Sequence, residues 1–178
     1  YMLVAGMNSL DADVRDDLSD AGLPGEYATM WECDNYVRFK EYWGYRTPCS
    51  SVVSDMLDKA DARIASGERG ADLRFGHDHV LMSLYLIMDI DHFANLPSEP
   101  DSLACWFRTY DSPMAGNIQM VFYRPLSGQG DILVKMLRNG VETSIGNIPT
   151  CNGNLPEGPY YRWQDVEAFL RGRIRSLT

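Results

Sequence analysis

The 178-residue chain is 45% hydrophobic and 23% charged, which is a globular composition with enough length for one domain and a substantial core. Its net charge of -9, with no run or face of Lys and Arg, argues against a nucleic-acid or anionic-membrane partner. No stretch approaches the roughly 20 apolar residues that cross a bilayer, and the first residues lack the basic and apolar regions of a signal peptide.

The four cysteines lie far apart and form no C-x-x-C pair, which disfavours zinc-ribbon and thioredoxin-like sites. They are Cys33, Cys49, Cys105 and Cys151. The even number is compatible with two disulfides in any of three pairings and equally with four thiols. Both alternatives remain open from the sequence.

The first part of the chain, through about Pro48, has patchy helical periodicity that predicts helices and loops. From Ser51 the pattern sharpens into an amphipathic helix, with Ser51 suited to cap its start and Gly67 to end it. The apolar positions of this helix are Val52, Val53, Met56, Leu57, Ala60 and Ile64.

A short strand is predicted next, over Ala71–Phe75, because a turn precedes it and Gly76 follows it. Val80–Met88 is apolar nearly all round, which predicts a helix that is buried on most sides. The predicted order is therefore helix, strand, tight Gly-His-Asp corner and buried helix.

The remaining elements are a hairpin and a terminal helix. Asn117–Tyr123 and Asp131–Leu137 have strand composition, and the glycine-rich link 126–130 between them is typical of a hairpin loop. From about Arg162 to Leu177 the apolar residues form one stripe, which predicts an amphipathic helix.

The corner at Gly76, His77 and Asp78 is the candidate functional site. A strand's carboxyl end followed by a helix N-terminus is where ligands bind in open α/β sheets, and the free N–H groups there favour phosphate. Gly76 would allow close backbone approach, His77 would donate to a phosphate oxygen, and Asp78 would be the general acid for a leaving alkoxide. In the structural alternative, Asp78 only caps the helix and His77 bonds a backbone carbonyl in the core.

A metal site is a third interpretation of this region. Ligand-type side chains occur at both ends of the predicted helix: His77, Asp78 and His79, then Asp89, Asp91 and His92. Adjacent residues point in divergent directions, however, and the two groups should lie roughly 15 Å apart along the helix. We therefore predict no metal ion and no cofactor.

Four segments, in the same order, resemble the clade-2 histidine phosphatases, especially bacterial relatives of multiple inositol polyphosphate phosphatase. They are Ala71–Asp78, Pro113–Arg124, Asp131–Leu137 and the Tyr161-Arg162-Trp163 opening of the last helix. The resemblance covers roughly residues 50 to 171. The His77-Asp78 pair is more similar to the acid phosphatase and phytase form than to the His-Ala-Glu form.

The resemblance implies an α/β fold. Residues 50–178 would be the C-terminal part of a phosphoglycerate mutase-like sheet with flanking helices, and residues 1–49 the end of a helical cap or insert. It also implies phosphomonoester hydrolysis through a phosphohistidine, with phytate or another inositol or sugar phosphate as substrate. His77 would bind phosphate and Asp78 would be the proton donor. A periplasmic or secreted location is implied in the same way.

Three further residues are candidates for substrate binding. His79 directly follows the motif, although an exposed histidine at a helix start is the simpler interpretation. Arg74 would share a strand face with Gly76, and it either reaches the pocket or pairs with an acidic neighbour. Asn117 begins its strand, where it either lines the rim or serves the turn.

The chain departs from the family in lacking the Arg-His-Gly-x-Arg-x-Pro motif that carries the nucleophile. Its only histidines are His77, His79 and His92. We therefore expect a partial phosphatase that is inactive alone, exposes an unpaired sheet edge, and requires the N-terminal half of the same protein or self-association. The alternative is a noncatalytic phosphate-binding or interaction domain that lacks the nucleophile.

Overall fold

A computed structural model describes residues 24–95, 97, 102–152 and 158–177. These residues form a mixed α/β structure of helices and a small antiparallel sheet. The helices are α1 (Pro24–Gly44), α2 (Arg46–Ser66), α3 (Asp78–Met88), α4 (Leu103–Trp106), a 3₁₀ turn (Thr109–Asp111) and α5 (Trp163–Arg175). The strands are β1 (Ile118–Tyr123), β2 (Leu133–Arg138), β3 (Val141–Thr143) and β4 (Tyr161–Arg162).

Helix α2 begins earlier than its apolar pattern predicted. Ser51 is not its cap but lies inside it, where its hydroxyl donates to the Pro48 carbonyl at 2.9 Å. Pro48 is tolerated because it lies in the first helical turn, where backbone N–H groups have no intrahelical acceptor. The predicted stop is confirmed: Gly67 adopts φ 71° and its N–H bonds Arg63. This helix runs across the expected boundary between residues 49 and 50.

Helix α3 is the central element of the core. Every residue from Met82 to Met88 is buried, as the apolar pattern predicted, and the helix ends at Asp89 in the left-handed conformation. Helices α1, α2 and α5 all pack against α3. Its first residue, Asp78, lies at the protein surface, so the helix connects the core to the candidate site.

The sheet is built on β2, which pairs with β1 on one side and with β3 and β4 on the other, always antiparallel. The predicted β1–β2 hairpin is confirmed, with Ile118 opposite Arg138. Strands β3 and β4 are short and were not predicted. Among the described strands β1 pairs only with β2. The expected edge left by a missing central strand stays a prediction.

The predicted strand at Ala71–Phe75 is wrong. Residues 67–77 are irregular, and residues 69–76 make no backbone hydrogen bond to the described part of the chain. Leu73 and Phe75 are 76% and 93% exposed. A strand requires a neighbouring strand to bond its backbone, and no described strand lies beside this segment.

The cysteine question is also decided: all four cysteines are free thiols. None of the described helices has both the length and the apolar character needed to cross a membrane.

Candidate functional site

The start of α3 carries two of the candidate residues. His77 is the N-cap in an extended conformation, and its carbonyl accepts hydrogen bonds from the N–H groups of Val80 and Leu81. Neither His77 nor Asp78 makes a side-chain capping hydrogen bond, so the interpretation of Asp78 as a helix cap is not supported. The N–H groups of Asp78 and His79, at the positive end of the helix dipole, have no backbone acceptor in the described part of the chain, and this arrangement suits an anion.

The Asp78 carboxylate is accessible but has a defined neighbour. Its side chain is 61% exposed. The hydroxyl of Tyr42 lies 3.4 Å from Asp78 Oδ2, in position to donate a weak hydrogen bond. Burial, and then the negative charge of Asp78, raise the pKa of Tyr42 to about 12, so this hydroxyl keeps its proton at neutral pH.

The two histidines of the motif form a short row of rings beside Asp78. The rings of His77 and His79 are 5.5 Å apart, and that of His79 is 5.4 Å from the ring of Tyr45. His79 Nδ1 lies 3.8 Å from Asp78 Oδ1. His77 is exposed, which excludes the interpretation that it is a core histidine.

Arg74 pairs with an acidic neighbour. Its guanidinium forms an ion pair with Asp55 on α2, and this hydrogen bond lowers the pKa of the Asp55 carboxyl. Two residues earlier, Asp72 lies 3.3 Å from the Arg63 guanidinium, also on α2. The two pairs fasten the irregular segment to α2 and leave Leu73 pointing toward solvent.

Asn117 organises the start of β1. Its N–H donates to Asn139 Oδ1 at 2.9 Å, and its side-chain amide donates to the Ala115 carbonyl at 3.2 Å. Its side-chain oxygen accepts a bond from Gln119. The structural interpretation of Asn117 as a turn residue is thus supported.

A groove of about 2470 Å³ connects most of these residues. It lies between α1 and α2 on one side, the start of α3, residues 67–77 and β1. His77, Asp78, Arg74 and Asn117 line it, whereas His79 does not. The groove is larger than typical small-molecule sites of about 300–1,000 Å³.

The second cluster of ligand-type residues has a structural role. Asp91 accepts hydrogen bonds from Thr143 and from the Ser144 N–H, and it lies 3.0 Å from the Arg138 guanidinium. Asp89 accepts from the Ala94 N–H at 2.9 Å. Across the described ranges, no group of three or more His, Cys, Asp or Glu residues is placed to hold a metal ion.

Sequence reasoning missed the role of Tyr42. It lies 36 residues before Asp78. No local pattern joins two residues at that distance, and only the packing of α1 on α3 brings them together.

Comparisons with known proteins leave the family open. No protein-family model matches the chain, and no curated protein matches it.

Proposed function

We propose that this chain supplies the proton-donor half of the active site of a phosphomonoesterase that works through a phosphohistidine. The observation that carries the proposal is the position of His77 and Asp78 together at the outward-facing N-terminus of α3, on the wall of one groove. The resemblance of residues 71–78 and of the later segments to the histidine phosphatases supports the same assignment.

In this mechanism Asp78 is the general acid. A leaving alkoxide takes a proton as the P–O bond breaks, and an exposed carboxyl group within reach of the groove can deliver it. The Tyr42 hydroxyl steadies the carboxylate between proton transfers. His77 and the first N–H groups of α3 bind the phosphate oxygens, which matters in a chain whose net charge of -9 otherwise repels anions.

The nucleophilic histidine comes from elsewhere in this scheme. We assign it to the N-terminal half of the same protein, with self-association as the other source. Phytate or another inositol or sugar phosphate is the proposed substrate, no cofactor is needed, and a periplasmic or secreted location follows from the same resemblance.

The leaving-group dependence of Asp78→Asn in the intact protein tests the proposal. We expect glycerol phosphate turnover to fall by about 10² to 10⁴, because the alkoxide loses its acid, while nitrophenyl phosphate changes far less. His77→Ala should weaken both substrates, since a phosphate contact does not depend on the leaving group. Asp131→Asn, an exposed carboxylate outside the groove lining, is the control.

Equal slowing of both substrates by Asp78→Asn, with phosphorylation still rate-limiting, would exclude Asp78 as the proton donor. The 178-residue chain alone should not hydrolyse either substrate, and turnover by that chain would overturn the requirement for a second part. An Arg-His-Gly motif encoded upstream of Tyr1 would support the phosphatase proposal. Its absence, together with saturable phosphate binding by the chain alone, supports the noncatalytic alternative.

A further inference from the structure

The two carboxylate oxygens of Asp78 face different neighbours. Oδ2 lies 3.4 Å from the hydroxyl of Tyr42, a residue that lines the groove. Oδ1 lies 3.8 Å from Nδ1 of His79, which does not line the groove. Because the Tyr42 hydroxyl keeps its proton, it donates to Oδ2, and a proton carried by Asp78 then sits on Oδ1. The oxygen that can release a proton is therefore the one on the His79 side.

Three exposed aromatic rings lie in a row on that side. The ring row consists of His77, His79 and Tyr45, with centroids 5.5 Å apart in the first pair and 5.4 Å apart in the second. Tyr45 is 43% exposed, and the side chain of His79 is 39% exposed. Ligand sites are commonly lined by aromatic side chains, whose faces bind the apolar part of a ligand while polar groups orient it.

The packing of α1 on α3 holds the ring row in place. Tyr45 lies between α1 and α2, and His79 lies in the first turn of α3. The buried hydroxyl of Ser83 is 3.0 Å from the Tyr42 carbonyl and 2.7 Å from the His79 carbonyl, so it joins the end of α1 to the start of α3. Side chains presented by packed helices lose little freedom when a ligand binds, which favours binding at this surface.

We propose that the ring row holds the alcohol part of the phosphomonoester, and that Tyr45 and His79 select alcohols with a saturated ring over acyclic ones. The inference rests on the proposed function, because it takes the phosphate to lie at the start of α3 beside His77. The bridging oxygen then lies at Asp78 Oδ1. As the P–O bond breaks, its electron pair stays on that oxygen, which takes the Oδ1 proton, and the alcohol leaves uncharged across His79 and Tyr45.

A cyclic polyol is complementary to the ring row. In a chair-shaped ring whose hydroxyls are mostly equatorial, the axial C–H groups form an apolar face, and the hydroxyls point outward around the rim. The face of an aromatic ring carries partial negative charge and attracts the slightly positive C–H groups. The ring row is open to solvent, so the hydroxyls of the polyol stay hydrated. An acyclic alcohol such as glycerol has no comparable face to lay on two rings.

Steady-state kinetics of the intact protein test the inference, with inositol monophosphate and glycerol phosphate as the two substrates. Both release an alkoxide, so both need the Asp78 proton. Tyr45→Ala should lower kcat/KM for inositol monophosphate about three- to tenfold, mainly by raising KM, because one aromatic contact contributes on this scale. The kcat/KM for glycerol phosphate should stay within about twofold of the parent value. Tyr45→Phe keeps the ring and should restore the parent behaviour.

Two further variants serve as a control and as a test of His79. Tyr36 on α1 is 44% exposed, close to the value for Tyr45, and it lies outside the groove lining and the ring row. Tyr36→Ala should therefore change the kcat/KM of neither substrate. His79→Phe keeps an aromatic face but removes the imidazole nitrogens beside Asp78. It should preserve the ratio of the two kcat/KM values, since stacking needs only the face of the ring.

The outcomes separate this inference from the proposed function. An equal fall in kcat/KM for both substrates in Tyr45→Ala, or no fall for either, would overturn the inference. Loss of the preference for inositol monophosphate in His79→Phe would overturn it as well. In each case a larger effect of Asp78→Asn on glycerol phosphate than on nitrophenyl phosphate would leave the proposed function standing. No turnover of either alkyl phosphate by the intact protein would overturn both together.

Discussion

Arg173 on α5 provides a quantitative test of how α3 is held. Its guanidinium donates to the Ile87 carbonyl at 2.6 Å and to the Leu86 carbonyl at 2.9 Å. Both carbonyls lie in the last turn of α3, where backbone acceptors have no intrahelical partner. The positive charge of Arg173 also interacts favourably with the negative end of the helix dipole. Arg173→Ala removes all of these interactions and leaves two carbonyls in a buried part of the helix.

The expected loss is about 2 to 3 kcal/mol of unfolding free energy. A hydrogen bond from a charged donor contributes about 1.5 to 3 kcal/mol, and the partial exposure of Arg173 reduces the sum for its two bonds to this range. For a chain of this size that loss corresponds to a melting temperature lower by about 5 to 10 °C. Arg173→Lys keeps the charge but not the two-point geometry and should lose about half as much.

Urea and thermal unfolding followed by circular dichroism measure the loss. The matched control is Arg162→Ala, because Arg162 forms an ion pair with Asp131 at 2.9 Å but its side chain is 57% exposed. That exposed pair should contribute less than about 1 kcal/mol. If Arg173→Ala stayed within about 0.5 kcal/mol of the parent, or cost no more than Arg162→Ala, Arg173 would not be what stabilises the end of α3.

Three further predictions address packing, pH and thiol reactivity. Gly146→Ala should destabilise the fold by at least about 1 kcal/mol in urea titrations, because φ at this residue is +46° and the new Cβ would lie 2.3 Å from Phe169 Cζ. Adding Phe169→Leu to the same chain should recover part of that loss. Burial raises the pKa of Tyr85 to about 12, so the folded state keeps this proton longer than the unfolded chain and stability should fall as pH rises from about 10 to 12. Tyr85→Phe should make the loss of stability above pH 10 less steep. It should lower the unfolding free energy little near pH 7, since the buried hydroxyl has no hydrogen-bond partner among the described residues. An unchanged dependence of stability on alkaline pH would contradict this. With a thiol reagent on the native chain, exposed Cys33 should react quickly and Cys49 slowly, because burial raises the pKa of the Cys49 thiol; equal rates would argue against that burial.

The elements that the sequence predicted well are those whose signal is local. Val80–Met88 is apolar all round, and the structure buries the helix from Met82 onward. The β1–β2 hairpin follows from two β-rich runs joined by a glycine-rich link. The last helix carries its apolar stripe within a single element, so its packing face needs no information from elsewhere in the chain.

The errors arose where structure depends on a distant neighbour. Ala71–Phe75 has the composition of a strand, but a strand forms only where another backbone bonds it. Strand β4 is two residues long and exists because β2 pairs with it. The contact of Tyr42 with Asp78 depends on helix packing. The sequence therefore predicted the residues of the motif but not the side chains that surround them.

Segment 69–76, which makes no backbone hydrogen bond to the described part of the chain, also determines where the chain is vulnerable to proteolysis. Proteases bind their substrates as extended backbones, and exposed segments without internal hydrogen bonds are the preferred sites of nicking. Arg69 is exposed at the start of this segment, so limited trypsin digestion should cut the chain there first. The two products would still be joined by the packing of α2 on α3.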